Sequence, residues 1–471
     1  MLFNSLTFAV FFASTLGLHR LLSSWSAQKN LLLVASYLFY AAWNPPFVLL
    51  LWLSSSVDWW LARRIIEVRD GRRGWLVASL CANLGLLGYF KYGGFALASV
   101  QSTLASVGFE WQPPAWDIVL PVGISFYTFQ SLSYTIDCYR GRLKVGTGYR
   151  DFLLYVSFFP QLVAGPIVRA GEFLPQLDTP RRANRDQFGW GLSLLIIGIF
   201  QKVVLADSAF APAVEAVYSN PLLYGAIDTW TAVLAFSAQI YYDFAGYSLC
   251  AIGAALCLGF HLPDNFAHPY GAFGITDFWR RWHISLSNWL RDYLYVPLGG
   301  NRKGEATTYR NLLLTMLIGG LWHGASWMFV LWGGLHGLYL VIERWLRLHA
   351  GIAIDQPRTT FAAGLTAAST ALLVTLTWIP FRAPDPTTAN AVLTGLFRYS
   401  IDSQLDSRRV LVVAIGVLLT GLWHLRMRGR SLEGWFGVGP GIWQTLVISS
   451  ALVAVFLLSG GDERAFIYFQ F

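Results

Sequence analysis

The sequence predicts an all-α protein that crosses a membrane many times. Of its 471 residues, 55% are hydrophobic and only 13% are charged, whereas about a quarter of the residues in a soluble domain are charged. Long apolar stretches recur from one end of the chain to the other. They lack the apolar/polar alternation of strands in a membrane barrel, so we predict that the membrane segments are helices.

The apolar stretches, taken in chain order, define the candidate membrane segments. They are residues 4–19, 30–62, 75–100, 117–136, 151–168, 188–206, 228–260, 311–347, 362–381, 409–424 and 443–460. Because a spanning helix needs about 20 residues, the longest stretches should divide. We predict breaks at Asn44–Pro46, where proline ends a helix, near Asp243–Gly246 and near Gly333–Gly334. This gives about 11 to 13 helices, some short or re-entrant, in a single domain, residues 1–471.

The positive charge of the chain is concentrated in loops between apolar stretches. The net charge is +8, from 34 Lys+Arg against 26 Asp+Glu. Arginines and lysines accumulate in the segments 63–73 and 303–310, which indicates cytoplasmic loops and not a nucleic-acid partner. The four cysteines lie in or near apolar stretches at no metal-ligand spacing. We therefore expect them to pack in the interior, and we predict no metal site.

The segment 261–310 differs in composition from the rest of the chain. It is rich in Arg, Asp, Asn, Gly and aromatic residues, which makes it too polar to span a membrane but suits the membrane interface. On a continuous helix, Trp279 and His283 would share one apolar stripe that faces the protein interior, whereas Arg280 and Arg291 would lie on a neighbouring stripe that faces water or anionic groups.

His323 is the strongest candidate for chemistry. It lies in the apolar run LLLTMLIGGLWHGASWMFVLW, with no charged residue between Arg310 and Glu343. An ionisable side chain at membrane depth is costly and is by default a functional candidate. Desolvation favours a neutral imidazole, the state that a general base requires. The alternative is that His323 forms a hydrogen bond between helices, which is the role we expect for His336.

Further polar residues give a weaker indication of a site. Gln239 and Asp243 are four residues apart on one helix face, so they could line a polar tunnel or cap a broken helix. Trp322 is a third candidate for the lining of a tunnel. The sequence contains no phosphate-binding glycine loop and no nucleophile elbow, so the chemistry would depend on histidine. Three other histidines lie near segment ends and are expected to be solvated: His19, His349 and His424.

Long motifs of this chain resemble the membrane-bound O-acyltransferase (MBOAT) family. The resemblance rests first on FWRRWHISLSNWLRDYLYVPLGGNR and GGLWHGASWMFVLWGGLHG. It continues in PVGISFYTFQSLSYTIDCYRG, FFPQLVAGPIVRAGEFLPQL, QIYYDFAGYSLCAIGAALCLGF, WIPFRAPD and FIYFQF, and so covers most of the chain. The motifs are most similar to the bacterial branch that includes the alginate O-acetylation protein and the D-alanyl transfer protein of teichoic acids.

The resemblance implies both a fold and a set of site residues. The family fold is a ring of tilted, partly broken helices around a central funnel. His323 matches the catalytic histidine of the family, and His283 matches a second position that is Asn or His. The resemblance implies no bound cofactor, with acetyl-CoA as the cytosolic donor substrate. Since arginine pairs well with phosphate, the expected donor-binding residues are Arg280, Arg281, Arg291 and Asn288.

The function expected from the resemblance is O-acetylation of an exopolysaccharide, as in alginate biosynthesis. The protein would lie in the bacterial inner membrane and move acetyl from acetyl-CoA across it. Its expected partners are a periplasmic SGNH-like acetyltransferase, the polysaccharide biosynthesis machinery and membrane lipid. Two alternatives stay open. One is D-alanyl transfer from a carrier protein toward a cell-surface polymer. The other is transport of a polar solute, with His323 as a proton relay.

Overall fold

All regular structure in the described part of the chain is helical, which confirms the predicted all-α fold. The computed structural model describes residues 1–68, 70–143, 147–352, 354–355, 359–400, 403–437, 441–458, 464 and 466–467. The chain divides into two compact units. The first holds Met1–Leu192 and Ala251–Pro263, and the second holds Ser193–Cys250 and Asp264–Phe471. The single domain stays a prediction, as does the arrangement of the helices in a ring.

The first unit consists mainly of the helices before residue 185, of which the described residues form nine. They are α1 (Leu6–Leu21), α2 (Trp25–Ala41), α3 (Pro46–Glu67), α4 (Arg72–Leu87), α5 (Gly93–Ser106), α6 (Ile124–Tyr139), α7 (Tyr149–Ser157), α8 (Phe159–Leu162) and α9 (Ala170–Phe173). The predicted break at Asn44–Pro46 is confirmed, because α2 ends at Ala41 and α3 begins at Pro46. Proline is tolerated at the first helical position since its missing N–H would have no partner there.

A buried carboxylate joins two helices of this unit. Asp58 of α3 accepts hydrogen bonds at Oδ1 from the Ser79 hydroxyl and the Asn83 amide of α4, both at 2.8 Å. All three side chains are buried. Polar contacts of this kind hold membrane helices together, because lipid provides no competing partner.

The second unit contains the remaining helices. α10 (Arg185–Phe200) enters it from the first unit, and α12 (Ala226–Cys257) returns from it to the first unit. The others are α11 (Ala211–Ser219), α13 (Ile275–Trp279), α14 (Ile284–Leu290), α15 (Glu305–His323), α16 (Trp327–His349), α17 (Thr360–Arg382), α18 (Pro386–Gly395), α19 (Ser407–Arg426), α20 (Leu432–Gly437) and α21 (Gly441–Leu458). Segments of π-helix lie at Gly88–Tyr92, Gln201–Phe210 and Arg291–Tyr295, and 3-10 turns at Leu174–Leu177, Pro221–Leu223 and Pro269–Gly271.

Five helical stretches of the described residues are long and apolar enough to cross a membrane. They are Arg185–Ser219, Ala226–Cys257, Thr360–Arg382, Ser407–Arg426 and Gly441–Leu458. The first of them joins α10 to α11 through the π-helical segment Gln201–Phe210. These spans agree with a multi-pass membrane protein.

The predicted break near Asp243–Gly246 is wrong, because α12 continues through it as one helix. Asp243 forms an ion pair with the Lys202 ammonium and accepts a hydrogen bond from the Ile467 N–H at 2.9 Å. Gly246 lies against another backbone: a Cβ added there would lie 2.6 Å from the carbonyl oxygen of Gly198. The glycine therefore permits close helix packing and does not interrupt the helix.

The predicted break near Gly333–Gly334 is also wrong. The chain divides earlier, with α15 ending at His323 and α16 beginning at Trp327. Gly333 lies inside α16, where an added Cβ would lie 2.2 Å from the carbonyl oxygen of Met316 on α15. Close approach of α15 and α16 therefore explains this glycine.

Two neighbouring glycines of α16 provide a test of this packing. An added Cβ at Gly334 meets only the side chain of Leu317, at 3.4 Å, whereas one at Gly333 meets the Met316 backbone. We expect Gly333→Ala to lower the free energy of unfolding by about 1–3 kcal/mol, the usual cost of overpacking. Gly334→Ala should be neutral or gain up to about 1 kcal/mol from helix propensity. Thermal denaturation in detergent, followed by size-exclusion chromatography, measures both. Equal midpoints for the two variants would contradict this account.

Candidate active site

His323 lies at the end of α15 inside an enclosure of aromatic rings. Its side chain is buried. The centroid of its ring lies 5.0 Å from those of Trp322 and Trp332 and 5.4 Å from that of Phe381, each in an edge-to-face arrangement. Such an enclosure excludes water and lowers the local dielectric constant, which strengthens every electrostatic interaction of the imidazole.

Small residues after His323 create the turn that places it there. Gly324 is extended, and a Cβ added to it would lie 2.1 Å from the ring of Phe329. Ser326 then caps α16, since its side chain accepts a hydrogen bond from the Met328 N–H at 3.2 Å. The glycine is therefore required for the Phe329 ring to pack under the turn.

His283 lies between two short helices and not within one, so the predicted continuous helix is wrong. α13 ends at Trp279, and α14 begins at Ile284. His283 precedes α14 in the left-handed conformation, with φ 43°. The side chain is fully buried, as the sequence predicted. A non-glycine residue in this conformation costs on the order of 1–3 kcal/mol, and such residues cluster at functional sites.

The structure brings the two histidines close to each other. The ring centroids of His283 and His323 are 6.4 Å apart. Trp322 contacts both rings, at 5.8 Å from His283 and 5.0 Å from His323. Phe244 of α12 lies edge-on against His283 at 4.6 Å. One small region of the second unit therefore holds both candidate catalytic residues and one candidate for the tunnel lining.

Asn265 determines which nitrogen of His283 carries the proton. The Asn265 Oδ1 lies 3.3 Å from the His283 Nδ1. The same oxygen accepts from the Ser285 backbone N–H at 3.3 Å and from the Ser285 hydroxyl at 2.7 Å. Because a backbone N–H only donates, the amide oxygen and not its nitrogen must face His283. The His283 Nδ1–H therefore donates to Asn265, which leaves Nε2 with its lone pair.

Burial also favours the neutral form of His283. This residue lies outside the membrane-spanning helices, and desolvation lowers the pKa of its imidazole to about 3. At neutral pH the ring is therefore uncharged, with a donor at Nδ1 and an acceptor at Nε2.

The four predicted donor-binding residues lie in different environments. Arg281 is engaged within the protein: its Nε donates to Asp277 at 2.9 Å and a terminal nitrogen donates to the Ala267 carbonyl at 3.1 Å. The other three lie nearer the surface. Arg280 is exposed and forms no ion pair with any described residue, Arg291 is exposed and pairs with its neighbour Asp292, and Asn288 is half-buried.

The other two candidates for the tunnel lining lie on α12. Gln239 is half-buried. Asp243 is occupied by Lys202, whose ammonium also pairs with Asp207 at 2.9 Å. Lys202 was not among the predicted site residues, although a lone lysine in the apolar segment 188–206 indicates a paired or functional group. A tunnel-lining role for Gln239 and Asp243 stays a prediction.

Two histidines that were expected to be solvated are buried, so that prediction is wrong for them. His19 is buried, and His424 is fully buried. The Nδ1 of His424 accepts a hydrogen bond from the Tyr270 N–H at 3.1 Å, and the two rings stack. His336 is hydrogen-bonded between helices, since its Nε2 lies 2.9 Å from the Thr377 hydroxyl of α17. Neighbouring segments cover these positions, which the local sequence does not reveal.

Comparison with known proteins assigns the chain to a family of acyl-transfer enzymes. A sequence model of the membrane-bound O-acyltransferase family matches residues 140–360. A Pseudomonas putida protein named probable alginate O-acetylase AlgI is 37% identical over 501 residues, which covers 100% of both chains. The peptidoglycan O-acetyltransferase of Helicobacter pylori is 38% identical over 78% of this chain and 73% of its own. The teichoic acid D-alanyltransferase of Bacillus subtilis is 26% identical over 62% of this chain and 78% of its own.

The two adjacent arginines before His283 should differ in their effect on stability. Asp277, which holds Arg281, also pairs with Arg428 at 2.8 Å. We expect Arg281→Gln to lower the free energy of unfolding by about 1.5–3 kcal/mol, the worth of a hydrogen bond to a charged group. Arg280→Gln, at an exposed site, should change it by less than about 0.5 kcal/mol. Thermal denaturation of the two purified variants provides the comparison. Equal losses would contradict a structural role specific to Arg281.

Proposed function

Because this chain belongs to the membrane-bound O-acyltransferase family, we propose that it transfers acetyl from cytosolic acetyl-CoA across the inner membrane for O-acetylation of an exopolysaccharide. The family makes it a membrane-bound O-acyltransferase. The choice of acetyl as the acyl group is supported by the names of two relatives, an alginate O-acetylase and a peptidoglycan O-acetyltransferase. The transporter alternative no longer has support, since members of this family transfer acyl groups.

The observation that carries the proposal is the proximity of His283 and His323 in an aromatic enclosure. In the proposed reaction, His323 removes the proton from an acceptor hydroxyl while that oxygen attacks the thioester carbonyl. The tetrahedral intermediate then collapses, the carbon–sulfur bond breaks, and the CoA thiolate leaves. The proton held by His323 passes to this leaving sulfur, so the base is regenerated.

The role of His283 follows from its hydrogen bond to Asn265. A neutral His283 with its proton on Nδ1 presents an acceptor at Nε2. It is therefore suited to orient the donor by accepting a hydrogen bond from one of its N–H groups. It is less suited to stabilise an oxyanion, which requires a hydrogen-bond donor. Asn265 is then a positioning residue that acts through His283.

The donor phosphates would be bound by the arginines on either side of α14, Arg280 before it and Arg291 after it. Arg280 is the best placed of the predicted residues, because it is exposed and its guanidinium has no described carboxylate partner. Asn288 of α14 is half-buried, and the exposed Arg291 follows the end of that helix. Arg281 would support this surface indirectly, through Asp277. An acidic carrier protein would also be attracted to these arginines.

The acceptor side of the proposal involves other proteins. Acetyl would pass to a periplasmic SGNH-like acetyltransferase and then to the polymer, within the polysaccharide biosynthesis machinery. The names of the O-acetylating relatives support this pathway. The second candidate, D-alanyl transfer from a carrier protein, is supported by the Bacillus subtilis relative, at the lower identity of 26%.

The donor is identified by incubating the purified protein with two labelled substrates in parallel. One is acetyl-CoA, with release of free CoA thiol as the readout. The other is a D-alanyl carrier protein, with loss of its thioester as the readout. We expect turnover of acetyl-CoA. Turnover of the charged carrier protein alone would favour D-alanyl transfer, and turnover of neither substrate, with and without an added acceptor, would contradict the proposal.

His323→Ala should abolish this turnover without preventing expression or membrane insertion. Loss of a general base costs about 10²- to 10⁴-fold in rate, and the neighbouring imidazole of His283 has its ring centroid 6.4 Å away, outside hydrogen-bond reach of the position that His323 occupies. His349→Ala is the matched control, since His349 is an exposed histidine at the end of α16 and its loss should leave the rate unchanged. The assignment of His323 fails if the purified variant retains near-native turnover.

Asn265→Ala should lower kcat by roughly 100-fold, the cost of misplacing a reacting group by about 1 Å. Asn265→Asp keeps an acceptor opposite the His283 Nδ1 and should restore much of the activity. A carboxylate favours the charged imidazole, so the pKa of His283 would rise. Because the neutral form is the active one, the acid limb of the pH–rate profile should move to higher pH. A merely structural role for Asn265 predicts equal losses in both variants and no shift of the profile.

A further inference from the structure

A cavity of about 310 Å³ lies among three membrane-spanning helices of the second unit, and neither His283 nor His323 lines it. We call it the α17–α19 groove. Its walls come from α12, α17 and α19, each long and apolar enough to cross a membrane. α17 contributes Gly364, Ala368, Ala371 and Thr375, which lie on one face of the helix. The small side chains of this face leave the space open.

The length of the groove corresponds to one leaflet of a bilayer. Gly364 and Thr375 both line it, and a separation of 375 − 364 = 11 residues corresponds to about 16 Å along a helix. The hydrocarbon core of a membrane is about 30 Å thick. A single acyl chain of a lipid therefore fits the groove in length.

The hydroxyl groups that line the groove are hydrogen-bonded within the protein, so they do not attract a polar solute. The Thr420 hydroxyl donates to the Gly416 carbonyl. The Ser237 and Thr375 hydroxyls are 3.0 Å apart, and the Tyr270 hydroxyl donates to the Ser237 carbonyl. The remaining lining is nearly all aliphatic. Apolar cavities of this kind stay dry and bind hydrocarbon.

A basic residue lies next to the groove at the end of α19. Leu425 lines the groove, and the exposed Arg426 comes next as the last residue of α19. Arg428, just beyond α19, forms an ion pair with Asp277 of the segment 261–310, so this end of α19 lies beside that segment. The composition of that segment and the positive-inside rule indicate the cytoplasmic interface. The lipid surface nearest to Arg426 is then the cytoplasmic leaflet, which attracts basic residues where it contains anionic lipid.

We propose that the α17–α19 groove binds one acyl chain of an anionic phospholipid from the cytoplasmic leaflet, with the headgroup phosphate at Arg426. The apolar walls recognise the chain, and the guanidinium recognises the phosphate. This binding does not depend on the acyl-transfer activity proposed above.

Two glycines offer positions from which a larger side chain can extend into the groove. Both Gly364 and Gly421 line it, and a Cβ added to either meets nothing within 4 Å. Gly364→Leu and Gly421→Leu should therefore occupy the groove while they favour helix formation. Gly17→Leu on α1 is the matched control, since the space at Gly17 is equally open. Ala368→Leu is a further filling variant should the first two fail to fold.

The probe is a phosphatidylglycerol with a photoreactive diazirine in its acyl chain, added to the purified protein in neutral detergent. We expect mass spectrometry to place its adducts on peptides of α12, α17 and α19. The filling variants should lower this labelling about tenfold, the loss expected from displacing two methylene groups. Gly17→Leu should not change it. Labelling of these helices that is unaffected by the filling variants, or no labelling above other helices, overturns the proposal.

The headgroup is tested by comparing this probe with a phosphatidylcholine that carries the same chain. Wild-type protein should be labelled about fivefold more by phosphatidylglycerol, which matches the attraction of one arginine to an anionic surface. Arg426→Gln should remove the preference, whereas Arg408→Gln, at the start of α19, should retain it. Equal labelling of the wild-type protein by both lipids overturns the assignment of an anionic lipid.

Discussion

The lack of hydrogen-bonding partners in lipid is the constraint on which the rest of this structure depends. A buried polar group in a membrane must find its partner within the protein, so each one fixes a contact between segments. Asp58 binds Ser79 and Asn83, and Asp243 binds Lys202. Hydrophobic side chains do not provide this specificity, since lipid tails are as apolar as the helices themselves. The few polar groups therefore determine which helices meet, and the glycines determine how closely.

In the proposed reaction, the histidine site would use the same constraint for chemistry. Aromatic rings surround His323, so no bulk water weakens its interaction with a reacting hydroxyl. His283 is buried as well, but Asn265 and the adjacent Ser285 fix its orientation through one amide oxygen. In this apolar enclosure, His283 presents one defined hydrogen-bond donor, at Nδ1, and one defined acceptor, at Nε2. Such preorganised groups fix the direction in which a proton can move. The fold provides it by interrupting helices on both sides: α15 ends at His323, and α14 begins after His283.

The sequence predicted the helical membrane fold and the pair of histidines, but it did not predict how the chain positions them. The break at Asn44–Pro46 was correct because proline acts locally. The predicted breaks at Gly246 and Gly333 were wrong because a glycine can either end a helix or allow a second helix to pack closely against it. Which of the two occurs depends on the neighbouring helix, which the local sequence does not show. Asn265 could not be identified for a similar reason. It lies 18 residues before His283, and its role arises from a turn between α13 and α14 where the sequence had predicted one continuous helix.

The left-handed backbone of His283 restricts which residues can replace it in related chains. Among residues other than glycine, asparagine, aspartate and histidine are the ones most often found at positive φ, whereas branched side chains are strongly disfavoured there. Asparagine is therefore a replacement that this turn would accept, whereas valine or isoleucine would strain it. The geometry of a single residue, with φ 43°, thus narrows the side chains that fit this position before any demand of catalysis applies.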